Sequence, residues 1–405
     1  MAGTKLRRCP CRIAVRSRLT HEGIKEYMNT TSVPTPVRAN PVVHLGLPRL
    51  RASGAAPADR PRVPELIDRF GRVARDLRVS LTDKCNLRCT YCMPPEGVQP
   101  APGERILTDA EVVRLVRIAV ERLGVREVRF TGGEPLLRKG LEEIVAATSS
   151  LCTDVGTPVE TSLTTNALGL RHRARGLKEA GLTRVNVSMD AADRETYAAL
   201  TRRDRFDDAV AGARAAAEAG LLPVKVNAVL VRGVNDAQAV RLVAEALASG
   251  YELRFIEQMP LGPSGQWTRS GMVAAEEILS RLEGAFELVA RPGAERGSSP
   301  AELWDVAPGK VDGVEHPGGT VGVIASITRP FCGDCDRTRL TADGQVRSCL
   351  FAREETDLRS LLRAGADDDT IADAWRAAMW GKQPGHGVDD PSFLQPSRTM
   401  SAIGG

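Results

Sequence analysis

Six of the nine cysteines in this 405-residue chain fall into two closely spaced groups. The first triplet is Cys85, Cys89 and Cys92, spaced C-x3-C-x2-C, and the second triplet is Cys332, Cys335 and Cys349, spaced C-x2-C-x13-C. An odd cysteine count with such tight groups does not fit the disulfide framework of a secreted domain. Thiolates at these spacings are typical of metal sites. We therefore predict that both triplets bind metal.

Three thiolates in each group favour an iron–sulfur cluster over a single zinc ion. A four-iron, four-sulfur cluster is normally held by four thiolates, so a triplet leaves one iron free to bind another molecule. A structural zinc ion needs a fourth protein ligand, and no histidine lies near the first triplet in the sequence. His316 precedes the second triplet and keeps zinc open there as an alternative.

A glycine-rich segment follows the second predicted strand and supports a ligand site near the first triplet. Its sequence is Thr131-Gly132-Gly133-Glu134-Pro135. Because glycine has no side chain, its backbone can approach a ligand closely. Taken alone, the segment is equally typical of an ordinary turn between a strand and a helix, so its meaning depends on the cysteines that precede it.

From residue 73 onward, short apolar runs alternate with amphipathic stretches, which is the pattern of a parallel α/β sheet. The predicted strands are residues 73–81, 125–130, 159–164, 184–188, 222–230 and 253–257. The predicted helices between them are residues 109–123, 141–150, 171–180, 207–219 and 237–248. Thr108 and Glu111 form a capping-box sequence at the start of the first of these helices.

The first triplet, the glycine-rich segment and several polar residues lie in or just after these predicted strands. Strand C-termini and the loops that follow them share one face in closed barrels and in open doubly wound sheets. We therefore expect the polar residues to converge on one mouth, but the alternation alone does not distinguish the two folds. After residue 260 the pattern changes to short strands, glycine-rich turns and two helices. The predicted domains are residues 71–260 and 261–405.

Residues 1–70 form a basic leader that accounts for the net charge of +4. They contain 13 basic and 5 acidic residues, which leaves 42 basic and 46 acidic residues for the rest. The leader is rich in proline and arginine and has no periodic apolar stretch, so we predict that it is disordered. A transit peptide, or a start codon assigned too far upstream, would look the same. The sequence lacks the apolar core and cleavage site of a secretory signal.

The overall composition excludes several classes of protein. Hydrophobic residues make up 42% of the chain and charged residues 26%, as in soluble globular proteins. No apolar run approaches the ~20 residues that a membrane-spanning helix needs. We therefore expect a soluble, cytoplasmic protein that binds neither membrane nor nucleic acid.

The spacing of the first triplet after the first strand, together with the glycine-rich segment after the second, resembles the radical S-adenosylmethionine (SAM) superfamily. In that superfamily the open iron of a [4Fe-4S] cluster binds SAM, and one-electron cleavage of SAM yields a 5′-deoxyadenosyl radical. The resemblance therefore implies SAM as a cofactor on the first triplet. It implies SAM contacts at Tyr91, Gly133, Ser188 and Met259.

The second triplet narrows the resemblance further. The segment that contains it, residues 331–351, and the chain end Ile403-Gly404-Gly405 are similar to the GTP 3′,8-cyclase family of molybdenum cofactor biosynthesis. The match runs from about residue 72 to the C-terminus. It implies an α/β fold, an incomplete (βα)6 TIM-type barrel with a C-terminal iron–sulfur cluster domain. A second [4Fe-4S] cluster on the second triplet would bind the guanine base.

The same resemblance implies which residues bind GTP and which take part in the reaction. A triphosphate needs fixed cations, and arginine offers bidentate contacts to it. The implied GTP contacts are Arg78, Arg129, Thr164, Lys225, Arg254, Arg337, Thr338 and Arg339. The implied catalytic residues are the first triplet, Arg337, Arg339, Gly404 and Gly405, because the resemblance implies that the tail threads toward the active site.

The resemblance also implies partners. GTP is the substrate, a flavodoxin or ferredoxin is the electron donor, and cyclic pyranopterin monophosphate synthase acts on the product; a homodimer is compatible with it. Two alternatives compete with this hypothesis. A peptide-modifying radical SAM maturase is expected to carry more cysteines after the barrel. A non-enzymatic iron–sulfur or zinc regulator would not explain the glycine-rich segment or the Arg-x-Arg pair.

Overall fold

The computed structural model describes residues 44–46, 49–51, 59–263 and 265–404. Its strands, in chain order, are β1 (His44–Gly46), β2 (Arg49–Arg51), β3 (Asp76–Ser80), β4 (Glu127–Thr131), β5 (Glu160–Thr165), β6 (Arg184–Ser188), β7 (Val224–Val229), β8 (Glu252–Ile256), β9 (Leu288–Ala290), β10 (Glu302–Val306), β11 (Gly309–Val311), β12 (Val314–His316), β13 (Gly319–Ile324), β14 (Arg337–Leu340), β15 (Gln345–Arg347), β16 (Glu354–Asp357) and β17 (Leu394–Pro396). The α-helices are α1 (Asp109–Leu123), α2 (Leu141–Ser149), α3 (Leu170–Glu179), α4 (Arg194–Thr201), α5 (Phe206–Glu218), α6 (Ala239–Ala248), α7 (Ala275–Glu283), α8 (Leu358–Arg363), α9 (Asp368–Trp380) and α10 (Met400–Ile403). None of the described helices is long and apolar enough to cross a membrane.

Six parallel strands, β3 to β8, form the centre of the sheet and lie side by side in chain order. A doubly wound sheet would reverse its strand order at a switch point, whereas a barrel winds in one direction. The consecutive order therefore decides the question that the alternating pattern left open. The fold is a partial barrel of TIM type, as the resemblance implied, and all six predicted strands are present.

The C-terminal region extends the same sheet at both edges. β14 pairs in parallel with β3, and β13 pairs in parallel with β8. Beyond them the antiparallel strands β15 and β16 continue one edge, and β10 and β9 continue the other. The described sheet stays open, because its outermost strands, β2 and β9, lie at opposite ends of the order.

The two faces of the barrel strands differ in polarity. Successive side chains on a strand point to opposite faces, and the outward ones, such as Leu77, Val128 and Phe255, are fully buried in the main hydrophobic core. The inward positions are polar on most strands, for example Arg78, Arg129 and Arg254, which face an internal cavity. The apolar face holds the helices, and the polar face is left for a ligand.

Local sequence signals set the helix ends. The Thr108 hydroxyl accepts the N–H of Glu111 at 3.2 Å, and the Glu111 carboxylate accepts the N–H of Thr108 at 2.7 Å, so the predicted capping box is confirmed. Gly124 ends α1 in the left-handed conformation, with φ of 73°. The predicted helices do not include α4 or α7, although α7 buries Ala275, Ile278 and Leu282 at helical spacing.

The described structure includes residues before residue 71, where composition predicted the leader to end. Leu66 is fully buried, and the buried carboxylate of Asp68 accepts the N–H groups of Phe70 and Arg72 at 2.8 and 3.0 Å. β1 and β2 pair with β17 and β16. Disorder is therefore the wrong prediction for residues 59–70, because a composition averaged over seventy residues hides one buried leucine and a few hydrogen bonds. The rest of the leader, apart from β1 and β2, lies outside the described residues.

Candidate functional site

A cavity with about 1410 Å³ of empty space, its open mouth included, runs through the interior of the barrel. It brings together most residues that the sequence pointed to. Those that line it are Arg78, Cys85, Cys89, Tyr91, Cys92, Arg129, Gly133, Thr164, Ser188, Arg254, Met259, Arg337 and Arg339. Phe331 and Leu350, which flank the second triplet in sequence, also line it. One cavity therefore connects the surroundings of both triplets.

The two triplets lie at opposite ends of the barrel. The first triplet follows β3, at the C-terminal ends of the parallel strands. Cys335 lies two residues before β14, which runs parallel to β3. Cys349 follows β15, which is antiparallel to β14. All three cysteines of the second triplet are therefore at the edge formed by the N-terminal ends of the parallel strands.

Backbone hydrogen bonds hold the loop of the first triplet against α4. The N–H groups of Arg88 and Thr90 donate to the carbonyls of Thr201 and Leu200 at 3.0 and 2.9 Å. The N–H of Cys92 donates to the carbonyl of Cys89 at 3.0 Å, which closes a turn around the thiols. Backbone hydrogen bonds therefore define the shape of the loop.

The electrostatics of the first triplet fit a metal cluster. Burial and the nearby charge of Cys85 raise the pKa of Cys92 to about 12. Burial, Asp190 and the other two cysteines raise the pKa of Cys89 well above its usual value. The three sulfurs therefore share one enclosed space, and they become thiolates only with a cationic partner. A coordinated metal supplies that charge and deprotonates a thiol outright.

The glycine-rich segment packs directly on the loop of the first triplet. A Cβ on Gly133 would lie 2.4 Å from the carbonyl oxygen of Lys84, so this approach requires glycine. Glu134 accepts hydrogen bonds from the N–H groups of Leu136 and Asn166 at 2.9 and 2.8 Å. Burial raises the pKa of Glu134 to about 7. The segment therefore presents backbone atoms to the cavity as well as the Glu134 carboxylate.

A buried hydrogen bond links two further predicted positions on this side. The Tyr91 hydroxyl donates to Asp190 Oδ2 at 2.7 Å, and Asp190 Oδ1 accepts the N–H of Val229 at 2.8 Å. Burial raises the pKa of Asp190 to about 6. Ser188 lies two residues before Asp190 on the inward face of β6 and lines the same cavity. These contacts fix the wall opposite the glycine-rich segment.

Cations dominate the middle of the cavity. The strand register places Arg78 beside Arg129 and beside Arg339. The buried Nε atoms of Arg78, Arg129 and Arg337 have no hydrogen-bond partner among the described residues. Burying a charged donor without a hydrogen bond is costly, so these groups indicate an anionic ligand between the strands.

Two carboxylates hold these cations in place, and sequence reasoning missed both. Asp76 lies 3.8 Å from Arg78 and 3.7 Å from Arg337. Arg254 Nε donates to Glu252 Oε1 at 2.7 Å, and Lys225 Nζ lies 3.8 Å from Glu252 Oε2. Burial and the charge of Arg254 lower the pKa of Lys225 to about 8. The only sequence signal for Asp76 and Glu252 is that each is the first residue of a strand and lies on its inward face.

The structure does not bring every predicted side chain to the cavity. Thr338 points to the outer face of β14, where its hydroxyl accepts the indole N–H of Trp375 at 2.9 Å. Thr338 can meet a ligand in the barrel only through its backbone, because neighbouring residues on a strand face opposite ways. Lys225 shares the inward face of β7 with Asn227, which lines the cavity.

The C-terminal tail reaches the cations from the side of the first triplet. Met400 and Ser401 line the cavity, and Arg339 Nη1 donates to the carbonyl of Gly404 at 2.5 Å. A Cβ on Gly404, whose φ is +86°, would lie 2.9 Å from Thr131 Cγ2 and 3.0 Å from Ser80 Cβ. Gly405 lies outside the described residues.

The second triplet lies among cations. The turn Cys332–Asp334 carries the first of its cysteines. Burial and the charge of Cys349 raise the pKa of Cys332 to about 11, so these sulfurs share one space. Burial opposes ionisation of Cys335 as well, but Lys382 and Arg337 outweigh it and lower the pKa of that thiol. This donor set fits a metal-bound thiolate group.

The structure gives little support to the alternative of a single zinc ion bound by the second triplet and His316. Across residues 59–263 and 265–404, no group of three or more histidine, cysteine, aspartate or glutamate side chains converges on one metal-ion position. His316 packs its ring against Phe286, with the centroids 5.6 Å apart.

The chain matches two family models. The Radical SAM superfamily model matches residues 79–246, and the Molybdenum Cofactor Synthesis C model matches residues 251–388. Among solved structures, Streptococcus suis SuiB bound to precursor peptide SuiA has a TM-score of 0.50 at 14% identity, covering 78% of this chain and 66% of that chain. At this identity the likeness shows a shared fold.

Curated relatives are far more similar. A GTP 3′,8-cyclase of Corynebacterium glutamicum is 60% identical over 350 residues, covering 86% of this chain and 91% of the relative. A GTP 3′,8-cyclase of Mycolicibacterium smegmatis is 57% identical over 374 residues, covering 90% of this chain and 99% of the relative. The chain therefore belongs to the GTP 3′,8-cyclase family within the radical SAM superfamily.

Proposed function

We propose that this chain converts GTP to 3′,8-cyclo-7,8-dihydro-GTP, the first step of molybdenum cofactor biosynthesis. The observation that carries the proposal is a row of buried arginine Nε atoms without hydrogen-bond partners among the described residues. They lie in a cavity that is lined by the first triplet and by Phe331 and Leu350, which flank the second triplet in sequence. A triphosphate is the anion that such a row suits. The two ends of the cavity then separate radical generation from substrate binding.

The first triplet holds a [4Fe-4S] cluster and, on its open iron, SAM. When bound, this pair supplies a 5′-deoxyadenosyl radical. Gly133 and Ser188 face the space beside the triplet from opposite walls and orient the cofactor there. Tyr91, held by Asp190, closes the space on a third side. Burial in the barrel keeps water and other reactants away from the radical.

The second triplet holds a second [4Fe-4S] cluster, and the cations hold the nucleotide. Arg78, Arg129, Lys225 and Arg254 approach from the barrel strands, while Arg337 and Arg339 approach from β14. Fixed at both ends, GTP presents its ribose toward the SAM side. Holding the reacting atoms in contact removes much of the orientational cost of the reaction.

The reaction balances with two electrons and one proton. The bound cluster and SAM would supply, for one electron, the radical that takes the C3′ hydrogen of GTP, with methionine and 5′-deoxyadenosine as the by-products. The C3′ centre then bonds to C8 of the guanine, and a second electron with a proton at N7 completes the dihydro product. A flavodoxin or ferredoxin is the proposed electron donor, and cyclic pyranopterin monophosphate synthase uses the product.

The tail completes the site. The Gly404 carbonyl binds Arg339, so the tail shares a cation with the nucleotide. Gly405 lies outside the described residues and is kept as a proposed catalytic residue because the family resemblance implies it. The tail thereby orients Arg339 and shields the reaction from solvent.

Anaerobic turnover tests the proposal. Reconstituted protein with SAM, dithionite and GTP is expected to form 5′-deoxyadenosine and the cyclised nucleotide in equal amounts. ATP in place of GTP serves as the control. If 5′-deoxyadenosine forms but the nucleotide is recovered unchanged, the chain is a radical SAM enzyme with another substrate. If SAM is not cleaved at all, the regulator hypothesis is favoured.

A further inference from the structure

Lys382 is a buried lysine that no predicted role accounts for. It follows α9, and only 3% of its surface is exposed. Its Nζ donates to the carbonyls of Cys335 and Arg337 at 2.8 and 3.0 Å and to Cys335 Sγ at 3.4 Å. In the part of the chain that the structure describes, it forms no ion pair with a carboxylate.

A buried ammonium needs an anion close by. Lysine is almost never fully buried without a charged partner, since transfer of an unpaired charge from water is costly. The carbonyls supply dipoles but no charge. The sulfur of Cys335 is the remaining partner, and it is negative when it ligates metal. The burial of Lys382 is thus explained if the second triplet carries an anionic cluster.

A brace holds Lys382 at this position. Arg72 Nη1 donates to the carbonyls of Cys332 and Pro384 at 2.6 and 2.9 Å, and its Nη2 donates to the carbonyl of Gln383 at 2.6 Å. Asp68 fixes the Arg72 side chain through Nε at 2.6 Å. The residues after Lys382 are thereby tied to the backbone of the second triplet.

We propose that Lys382 is a positioning residue for the second cluster, supplying its counter-charge and an N–H···S hydrogen bond to Cys335. Positive charge and hydrogen bonds to ligand sulfurs raise the reduction potential of an iron–sulfur cluster. Lys382 therefore keeps the second cluster easier to reduce than it would be without the ammonium. This inference rests on the proposed second cluster.

Redox titration followed by electron paramagnetic resonance tests the inference on the protein with both clusters. In Lys382→Met the midpoint of the second cluster is expected to shift to a more negative potential, while the first stays unchanged. Lys382→Arg restores the charge and should return the midpoint toward the wild-type value. The control is Lys178→Met, which removes a lysine bonded to the Gly220 carbonyl at 2.8 Å, outside both triplets. An unshifted second midpoint in Lys382→Met overturns the inference.

A measurement on the wild-type chain covers the case in which Lys382→Met loses its second cluster. Protein labelled with ¹⁵N-lysine and reduced without nucleotide is expected to show a weak ¹⁵N coupling to the second cluster in pulsed resonance spectra. Absence of that coupling overturns the role of Lys382 even if two clusters are present. Wild-type protein with iron for only one cluster contradicts the two-cluster proposal and this inference with it.

Discussion

The two cysteine triplets each offer three thiols but have opposite electrostatic surroundings. Near the first triplet, the carboxylates Asp190 and Glu134 add to burial in raising the pKa of Cys89 and Cys85. Near the second triplet, Lys382 and Arg337 lower the pKa of Cys335. Because positive surroundings raise a cluster potential and negative ones lower it, the cluster proposed for the first triplet would be the stronger reductant of the two. That difference would suit the proposed roles, in which the first cluster gives an electron to SAM and the second holds the substrate.

The comparison shows that the ligands alone do not assign a cluster its task. Each triplet offers three thiols, and the cluster proposed for each would have one open iron. What differs is the second layer of residues, which comes from other parts of the chain: Asp190 from the end of β6, and Lys382 from the end of α9. Roles therefore depend on neighbours that the cysteine motif does not contain.

Removing each triplet in turn has the largest expected effect. Alanine at Cys85, Cys89 and Cys92 should halve the iron and abolish SAM cleavage, because no open iron remains to bind SAM. Alanine at Cys332, Cys335 and Cys349 should also halve the iron but leave SAM cleavage in place without cyclised nucleotide. Iron analysis and chromatography of 5′-deoxyadenosine measure both results. Cyclised product from the second variant would contradict the division of labour.

Lys225→Ala tests the cations between the triplets. Loss of a charge-assisted contact costs about 1.5 to 3 kcal/mol, so GTP affinity should fall roughly ten- to a hundredfold. SAM cleavage should persist, because Lys225 is on the GTP side. Lys310→Ala, which removes an exposed lysine 3.7 Å from Glu315, is the matched control. Equal GTP affinity of Lys225→Ala and wild type in anaerobic equilibrium dialysis would remove Lys225 from the site.

Gly404→Ala tests the tail. A side chain in the left-handed region costs about 1 to 2 kcal/mol, and here it also meets Thr131 and Ser80. Product formation should fall about five- to thirtyfold, with both clusters retained. Gly387→Ala is the control, since its φ is +68° but no atom lies within 4 Å of the added Cβ. Similar product rates in the two variants would mean that the close approach has no function.

The smallest expected effect is a pH dependence of GTP binding. Because the pKa of Lys225 is lowered to about 8, the ammonium keeps its charge below that pH and loses it above. Affinity should therefore decrease between pH 7 and 9, by up to about tenfold. Lys225→Arg should flatten the profile, because arginine stays charged. A wild-type profile that is flat, or that rises with pH, would contradict the assignment.

Much of the barrel could be predicted because its signals are local. The six strands follow from apolar runs, and α1 follows from its capping box and Gly124. The direction of the Thr338 side chain could not be predicted from local sequence. Its neighbours Arg337 and Arg339 face the cavity, while Thr338 faces Trp375, and this alternation requires knowing that β14 belongs to the sheet.

The sequence by itself determined the thiolate donors, the glycine-rich turn and the alternation of strands and helices, because each depends on residues close together in the chain. Only the tertiary structure decided that the triplets lie at opposite ends of one barrel, that Gly404 reaches Arg339, and that Lys382 lies against Cys335. The members of each of these pairs are separated by tens of residues or more in the sequence. They come into contact, and bury or pair their charges, only when the strands of the C-terminal region join the edges of the barrel sheet.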